Sequence, residues 1–296
     1  MTSIPGKHDR ASEIVIWILI AVYAAASLFP SFFPTAFSMS MQLGLVVLLP
    51  LAFAIVHGAL RYGIAGIVAF MILCFGISNA FENLSVLTGF PFGHYHYPDI
   101  MGPKLFQVPL LIGPAYFGAG YTSWVLAEIL LREIDRVPDR LSVIAIPVVA
   151  AFIMVGWDVC FDPGSSTLDH LWIWENGGGY FGVPLTNYLG WYLTVFVFLL
   201  AFSLYRARRI RTGLHLTTGY WAQPAVLFII MALAYPADYL AAVLAGRNVA
   251  VKDAAGHLWS SLDIHETAAI VSVFTMMFVA VTCLLILARR EQKKPI

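Results

Sequence analysis

"MQLGLVVLLPLAFAIVHGALRYGIAGIVAFMILCFGISNAFENLS", residues 41–85, is the stretch on which the fold turns. Its apolar run is far longer than one bilayer crossing, which takes about 20 residues. It therefore divides into two spanning segments, near 40–60 and 63–81, with Arg61 between them. Lipid leaves a spanning backbone no partner but itself, so segments of this kind are helices. Further apolar segments of spanning length lie near 14–34, 107–131, 141–161, 187–205, 221–245 and 264–288. The expectation is an all-α, polytopic membrane bundle of about eight transmembrane helices, a single domain over residues 1–296.

Composition agrees. The chain is 60% hydrophobic and 11% charged, with a mean hydropathy of +0.80, whereas soluble domains carry roughly a quarter charged residues. Lys plus Arg and Asp plus Glu both number 17, which leaves no basic surface for a nucleic acid. Cys74, Cys160 and Cys283 sit in apolar segments with no neighbour at metal-ligand spacing and read as small core residues. Near the N-terminus, Lys7, Arg10 and Ala24-Ala25-Ala26-Ser27 have the flavour of a signal peptide. The apolar stretch from Ile14 to about Phe33 is nonetheless long enough to span, and it reads as a retained helix.

Lysine and arginine favour the cytoplasmic side. With the N-terminus inside, that side collects Lys7, Arg10, Arg61, Arg132, Arg136, Arg140, Arg206, Arg208, Arg209, Arg211, Arg289, Arg290, Lys293 and Lys294, and the outer side only Lys104, Arg247 and Lys252. Both termini are then cytoplasmic in a multi-pass protein of the cell membrane. The two long connections, about 82–106 and 162–186, fall outside, and both are rich in Gly, Pro, aromatics and acids. Chemistry belongs to the outer half.

Several residues there invite a function and also a plainer reading. Glu82 is a carboxylate at the end of an apolar segment, a functional candidate by default or a residue at headgroup level. His94 and His96 share a face of an extended segment, as metal ligands would, but the eight histidines contain no set of His-rich boxes. A pocket wall or a structured loop remains for them. Asp158 and Asp162, four apart, face the same way on a helix and repel if both ionise, an arrangement suited to a general acid. Asp162-Pro163-Gly164 alternatively forms a turn in which Asp162 bonds its own backbone. Trp172, Trp174, Tyr180, Phe181, Tyr188 and Trp191 are an interfacial belt or ring faces for a cation. Asn187 caps a helix or orients a water. Asp238, just past Pro236, serves a helix distortion or a site. Asp263 reads as an N-cap with Glu266 three residues on, leaving His265 and Glu266 as weaker site candidates. Gly and Pro in "QVPLLIGPAYFGAG" (107–120) make room for a long ligand or, more simply, for close helix packing.

"ENLSVLTGFPFGHYHY" with "GPKLFQVPL", then "WDVCFDP" and "WIWENGGGYFGVPLTNYLGW", resemble the integral-membrane carotenoid 1,2-hydratases of the CruF type, over roughly residues 75–195. The resemblance implies hydration of the C1=C2 double bond at an acyclic carotenoid end, of lycopene, γ-carotene or C50 type, without a redox cofactor or metal. It implies a carotenoid substrate in a lipid bilayer, with other carotenoid biosynthesis enzymes as partners. On this reading Asp158 or Asp162 donates the proton and Glu82 is its charge partner or the base that orients water. Tyr95, Trp174, Tyr180 and Trp191 line the end-group pocket, His94 and Asn187 hydrogen-bond water, and His96, Glu175 and Asp238 complete the binding set. The rivals are a proton-coupled transporter or lipophile carrier, and a metal-dependent membrane oxidase using His94, His96, His257 and His265.

Overall fold

The computed structural model describes residues 7–134, 139–208 and 216–292. In chain order the helices are α1 (Lys7–Phe32), α2 (Met39–Thr88), α3 (Ile112–Leu130), α4 (Ser142–Asp162), α5 (Leu185–Ala207), α6 (Thr218–Leu244), α7 (Ser261–Val271) and α8 (Phe278–Gln292). A π-helical turn, Pro163–Leu168, extends α4, and another, Ser272–Met277, joins α7 to α8 in one rod. Among the described residues six helical stretches are long and apolar enough to cross a membrane.

The quoted stretch forms α2, 50 residues whose helical backbone fails at one place, Gly63, with φ 68° and ψ 172°. That conformation is essentially closed to residues with a Cβ. The chain folds back there. A Cβ on Gly58 would lie 2.5 Å from Cδ1 of Ile67, whereas nine residues of straight helix span about 13 Å. Leu43, near the start of α2, and Glu82, near its end, accordingly line one cavity. α3 is not among the six apolar stretches. It runs through the middle of the bundle with Tyr116 to Ile129 all buried, so it meets protein where the others meet lipid, and its tyrosines find partners there, Tyr116 on Glu82 and Tyr121 on His57.

Polar groups tie the two ends. At one end Arg61, beside the bend, and Arg206 of α5 both donate to the buried Glu128 of α3. The Arg61 guanidinium also lies 4.5 Å from the Trp221 ring centre. Thr217 Oγ1 donates to Glu13 Oε1 at 2.8 Å and Thr218 Oγ1 to Glu291 Oε2, so α1 starts and α8 finishes at this end. Just inside it, His57 Nδ1 bonds Tyr121 Oη at 2.7 Å and its ring stacks on Tyr220 at 3.8 Å. The long connections 89–111 and 169–184 lie at the opposite end, where α1 meets α6 through Ser31 Oγ, which donates to Asp238 Oδ1 at 2.6 Å.

Several local expectations change. α2 continues to Thr88, so Glu82 lies inside the helix rather than at its end. Asp162-Pro163-Gly164 is no turn: the chain passes into the π segment, where Ser166 Oγ donates to the Asp162 carbonyl at 2.8 Å. Ser260 rather than Asp263 caps α7, its hydroxyl accepting from Asp263 N at 3.2 Å; Asp263 is the third residue of that helix. The glycines of α3 serve packing, as Gly118 abuts Pro50. Three two-stranded ribbons add to the helices: β1 (Tyr95–His96) with β4 (Ile173–Trp174), β2 (Lys104–Leu105) with β3 (Val108–Pro109), and β5 (Ala250–Lys252) with β6 (Leu258–Ser260). All three cysteines are free and buried. Arg136, Arg209, Arg211, Lys293 and Lys294 lie outside the described residues, as do the side chains of Lys7 and Arg10.

Candidate functional site

At the loop-bearing end, the halves of α2, with α3, α4 and α5, line a partly open cavity. The β1–β4 ribbon roofs it. Ser85 of α2 fixes the loop below the ribbon: its hydroxyl accepts from Phe92 N at 3.1 Å and donates to Gly93 O at 3.0 Å. The next residues are extended, so side chains alternate between faces. Tyr95 and Tyr97 turn inward and are buried, while His94 and His96 are exposed. The histidines do share a face, but it is the outer one. Register places Tyr95 opposite Trp174, which brings both long connections to one roof.

Glu82 lies in the cavity wall with only 3% of its surface exposed. Tyr97 Oη donates to its Oε2 at 2.9 Å and Tyr116 Oη to its Oε1 at 2.7 Å, and Tyr95 Oη also donates to Oε2. Burial first, and then the charge of Glu82, hold the Tyr95 and Tyr97 phenols well above the ordinary tyrosine range. Both therefore remain hydroxyl donors at any physiological pH. Tyr116 in turn lies flat against Trp191, ring centres 4.2 Å apart at 5°.

The second polar group stands behind the wall. Asn187 Nδ2 donates to Asp158 Oδ2 at 3.0 Å and to Asp162 Oδ2 at 2.5 Å. Asp162 Oδ1 accepts from the indole nitrogens of Trp172 at 2.8 Å and Trp174 at 3.3 Å. Asn187 and both indoles line the cavity, but neither aspartate does. Asp158 Oδ1 and Tyr188 Oη are buried without a hydrogen-bond partner. The remainder of the wall is apolar, with Leu43, Val47, Phe92, Met101, Trp157 and Phe161 among it.

Of the candidates named from sequence, Glu82, Tyr95, Trp174, Asn187 and Trp191 meet at this cavity, and Asp158 and Asp162 lie directly behind it. The others lie elsewhere. His96 and Glu175 pair with each other at the surface, 3.3 Å apart. Tyr180 packs on Phe181 and Tyr188. Asp238 is held by Ser31, and Glu266 is exposed. His257 pairs with Asp253 beside the β5–β6 ribbon at 3.2 Å, so His94, His96 and His257 do not converge. No group of three or more His, Cys, Asp or Glu side chains among the described residues is placed to hold a metal ion. Tyr97, Tyr116 and Trp157 were missed from sequence. The alternation in "HYHYP" carried the signal for Tyr97, whereas Tyr116, inside an apolar helix, carried none.

The family model described as carotenoid biosynthesis protein matches residues 41–252. The chain belongs to that family. It is 32% identical over 159 residues to the bisanhydrobacterioruberin hydratase of Haloarcula japonica, an alignment covering 51% of this chain and 50% of that relative. The chain thus spans about half the length of the curated relative it matches. No solved structure matches.

Proposed function

We propose that this member of the carotenoid biosynthesis family is a hydratase, adding water to the terminal C1=C2 double bond of an acyclic carotenoid end, and that Glu82 gives the proton. The observation that carries this is a single carboxyl, Glu82, in the wall of an aromatic cavity among the described residues, with three tyrosine hydroxyls aimed at it. The motif reading gave the proton to Asp158 or Asp162. Neither lines the cavity, where Asn187 and two indoles stand in front of them, so we assign the proton to Glu82 instead.

An alkene is a feeble base, and protonating it requires a strong acid in a dry place. Three hydroxyls that bond best to the anion make Glu82 such an acid, because their hydrogen bonds strengthen as the proton leaves. The Glu82 O–H bond breaks, a C–H bond forms at C2, and the alkene electron pair leaves a tertiary cation at C1. Trp172 and Trp174 present their rings to it while donating their N–H groups to Asp162. The carboxylate behind them enriches the ring faces that stabilise the cation. Asn187, whose NH₂ is held by both aspartates, has its amide oxygen left to orient the attacking water. Oxygen bonds C1, and the water's proton returns to Glu82. The cycle needs no metal and no redox cofactor.

Counting the two arms of α2 and the buried α3 separately gives eight crossings. The excess of arginine at the Glu128 end supports a reading in which that end and both termini face the cytoplasm and the cavity lies in the outer leaflet. The relative's name points to bisanhydrobacterioruberin as one substrate to try; lycopene and γ-carotene are the others.

The test is expression in a lycopene-producing bacterium at low oxygen in H₂¹⁸O, followed by weighing the extracted carotenoids. A gain of water carrying the heavy isotope is expected, and Glu82→Gln should lower its rate about a hundredfold or more while remaining folded. An unchanged rate in Glu82→Gln removes the assignment. No gain with lycopene, γ-carotene or a C50 precursor, despite folded protein in the membrane, removes the hydratase and leaves the carrier. Heavy oxygen from dioxygen instead identifies an oxidase.

A further inference from the structure

The connection between α2 and α3 carries an exposed apolar patch and turns back along the side of α2. Beyond the helix end it turns back as the β2–β3 hairpin, with Lys104 opposite Pro109 and Leu105 opposite Val108. At its tip Gln107 N donates to Asn83 Oδ1 at 2.9 Å. Asn83 lies five residues before Thr88, the last residue of α2, so the tip sits roughly 7 Å below the end of that helix. It is level with Glu82.

The hairpin has two faces. Inward, Val108 and the preceding Met101 are buried in the cluster that roofs the cavity. Outward, Ile100, Leu105, Phe106 and Leu110 are exposed, Phe106 by 79%. Leu84 and Leu87, beside them on the last turns of α2, are exposed as well. Phe106 has φ 57°, a left-handed backbone that bulky side chains avoid, and it is spent on holding the ring out at the tip. Lys104 turns its ammonium the other way, donating to Tyr97 O at 2.7 Å and to the exposed Asp99 at 3.4 Å. A lysine in the outer leaflet behaves so, running its stem through the apolar layer to reach the headgroups.

We infer that the 104–109 hairpin is a membrane element, lying in the outer leaflet against α2 with Phe106 among the acyl chains, and that it is the gate under which a carotenoid passes from the bilayer into the cavity. The partner is hydrocarbon because the exposed apolar residues of the hairpin adjoin Leu84 and Leu87 on the outer side of α2, with Gln107 the one polar side chain exposed on the hairpin between Phe106 and Leu110. Irregular backbone is tolerated at such depth only where its polar groups are satisfied. Asn83 does this for the tip, and Pro109 has no N–H to satisfy. Met101 on the hairpin's approach and Leu111 and Ile112 just beyond it line the cavity, so whatever slides beneath the hairpin meets the site. The gating role rests on the hydratase reading, but the depth does not.

The first experiment reads depth alone. Phe106→Cys and, as a control, Ala254→Cys on the exposed β5–β6 turn are spin-labelled in the full chain in phospholipid vesicles. Both are read for relaxation by oxygen, which concentrates in lipid, and by a water-soluble nickel chelate. The Phe106 label should favour oxygen and the Ala254 label nickel. If both favour nickel, the hairpin lies in water and the inference is wrong, whatever the protein catalyses. The second experiment addresses the gate. Phe106→Asn suits the left-handed backbone and removes the ring. It should raise KM several-fold for carotenoid supplied in vesicles and leave kcat unchanged. An unchanged KM leaves a lipid anchor and removes the gate.

Discussion

At the scale of single residues, one amide serves two acids. Asn187 Nδ2 reaches Asp158 Oδ2 and Asp162 Oδ2 together, and these side chains are nearly inaccessible, at 1% exposure each. Removing a donor from buried carboxyls costs more than the bond contributes, because the acceptors keep their desolvation penalty. Asn187→Leu should therefore destabilise the protein by about 3 kcal/mol, read as a lower thermal midpoint in detergent. Asn187→Asp, which puts a third carboxyl there, should be worse. A stable Asn187→Leu variant would mean that the aspartates find other donors. Much at this scale was legible. Glu82, Asn187, Trp174 and Trp191 stand out because polar or aromatic residues cluster in an apolar chain. His94 and His96 drew attention for the wrong reason: in an extended segment only one set of alternating residues faces inward, and spacing does not say which. Burial decides it, and burying two phenols that bond a carboxylate beats burying two imidazoles with nothing to bond.

At the scale of elements, α2 shows what patterning resolves. Its length forces two segments, and the boundary near Arg61 was readable because a charge does not sit in mid-bilayer without a partner. What the sequence left open was that the helix runs up to Gly63 and resumes directly, with no loop. The arms are joined by one residue at φ 68° and ψ 172°. Gly63→Ala should cost about 1–3 kcal/mol, measurable as easier unfolding in denaturing detergent, with a larger loss than Gly44→Ala, where a Cβ meets open space within the same helix. Equal effects at the two positions would show that the bend is not strained. The ends of helices were the least legible feature. Thr88 and Leu168 lie beyond the expected limits because outer-end residues bond the helix rather than leave it: Thr88 Oγ1 donates to Leu84 O at 2.7 Å, and the Pro163 segment widens into a π turn instead of stopping.

Over the whole molecule the charges divide by end. Arg61 and Arg206 converge on Glu128, and α1 and α8 reach the same end through Glu13 and Glu291. The cavity, both long connections and the β5–β6 ribbon are at the other. The class of fold was legible because lipid imposes one solution on apolar segments of this length. The convergence of Arg61, Glu128 and Arg206 was not, since three residues 67 and 78 apart in sequence give no local pattern. The positive-inside rule then predicts that the Glu128 end faces the cytoplasm, and two thiols test it. The native cysteines are buried and give little background. Arg140→Cys, exposed just before α4, and Ala254→Cys, exposed at the opposite end, are each treated in intact cells with a membrane-impermeant maleimide. Ala254→Cys should react at once and Arg140→Cys only after the cells are opened. The reverse order would turn the protein over, bring the cavity to the cytoplasmic leaflet, and require its carotenoid to be drawn from that side. Reaction of both in intact cells would mean an odd number of crossings between residues 140 and 254 has been miscounted, and with it the pairing of α4, α5 and α6 across the bilayer.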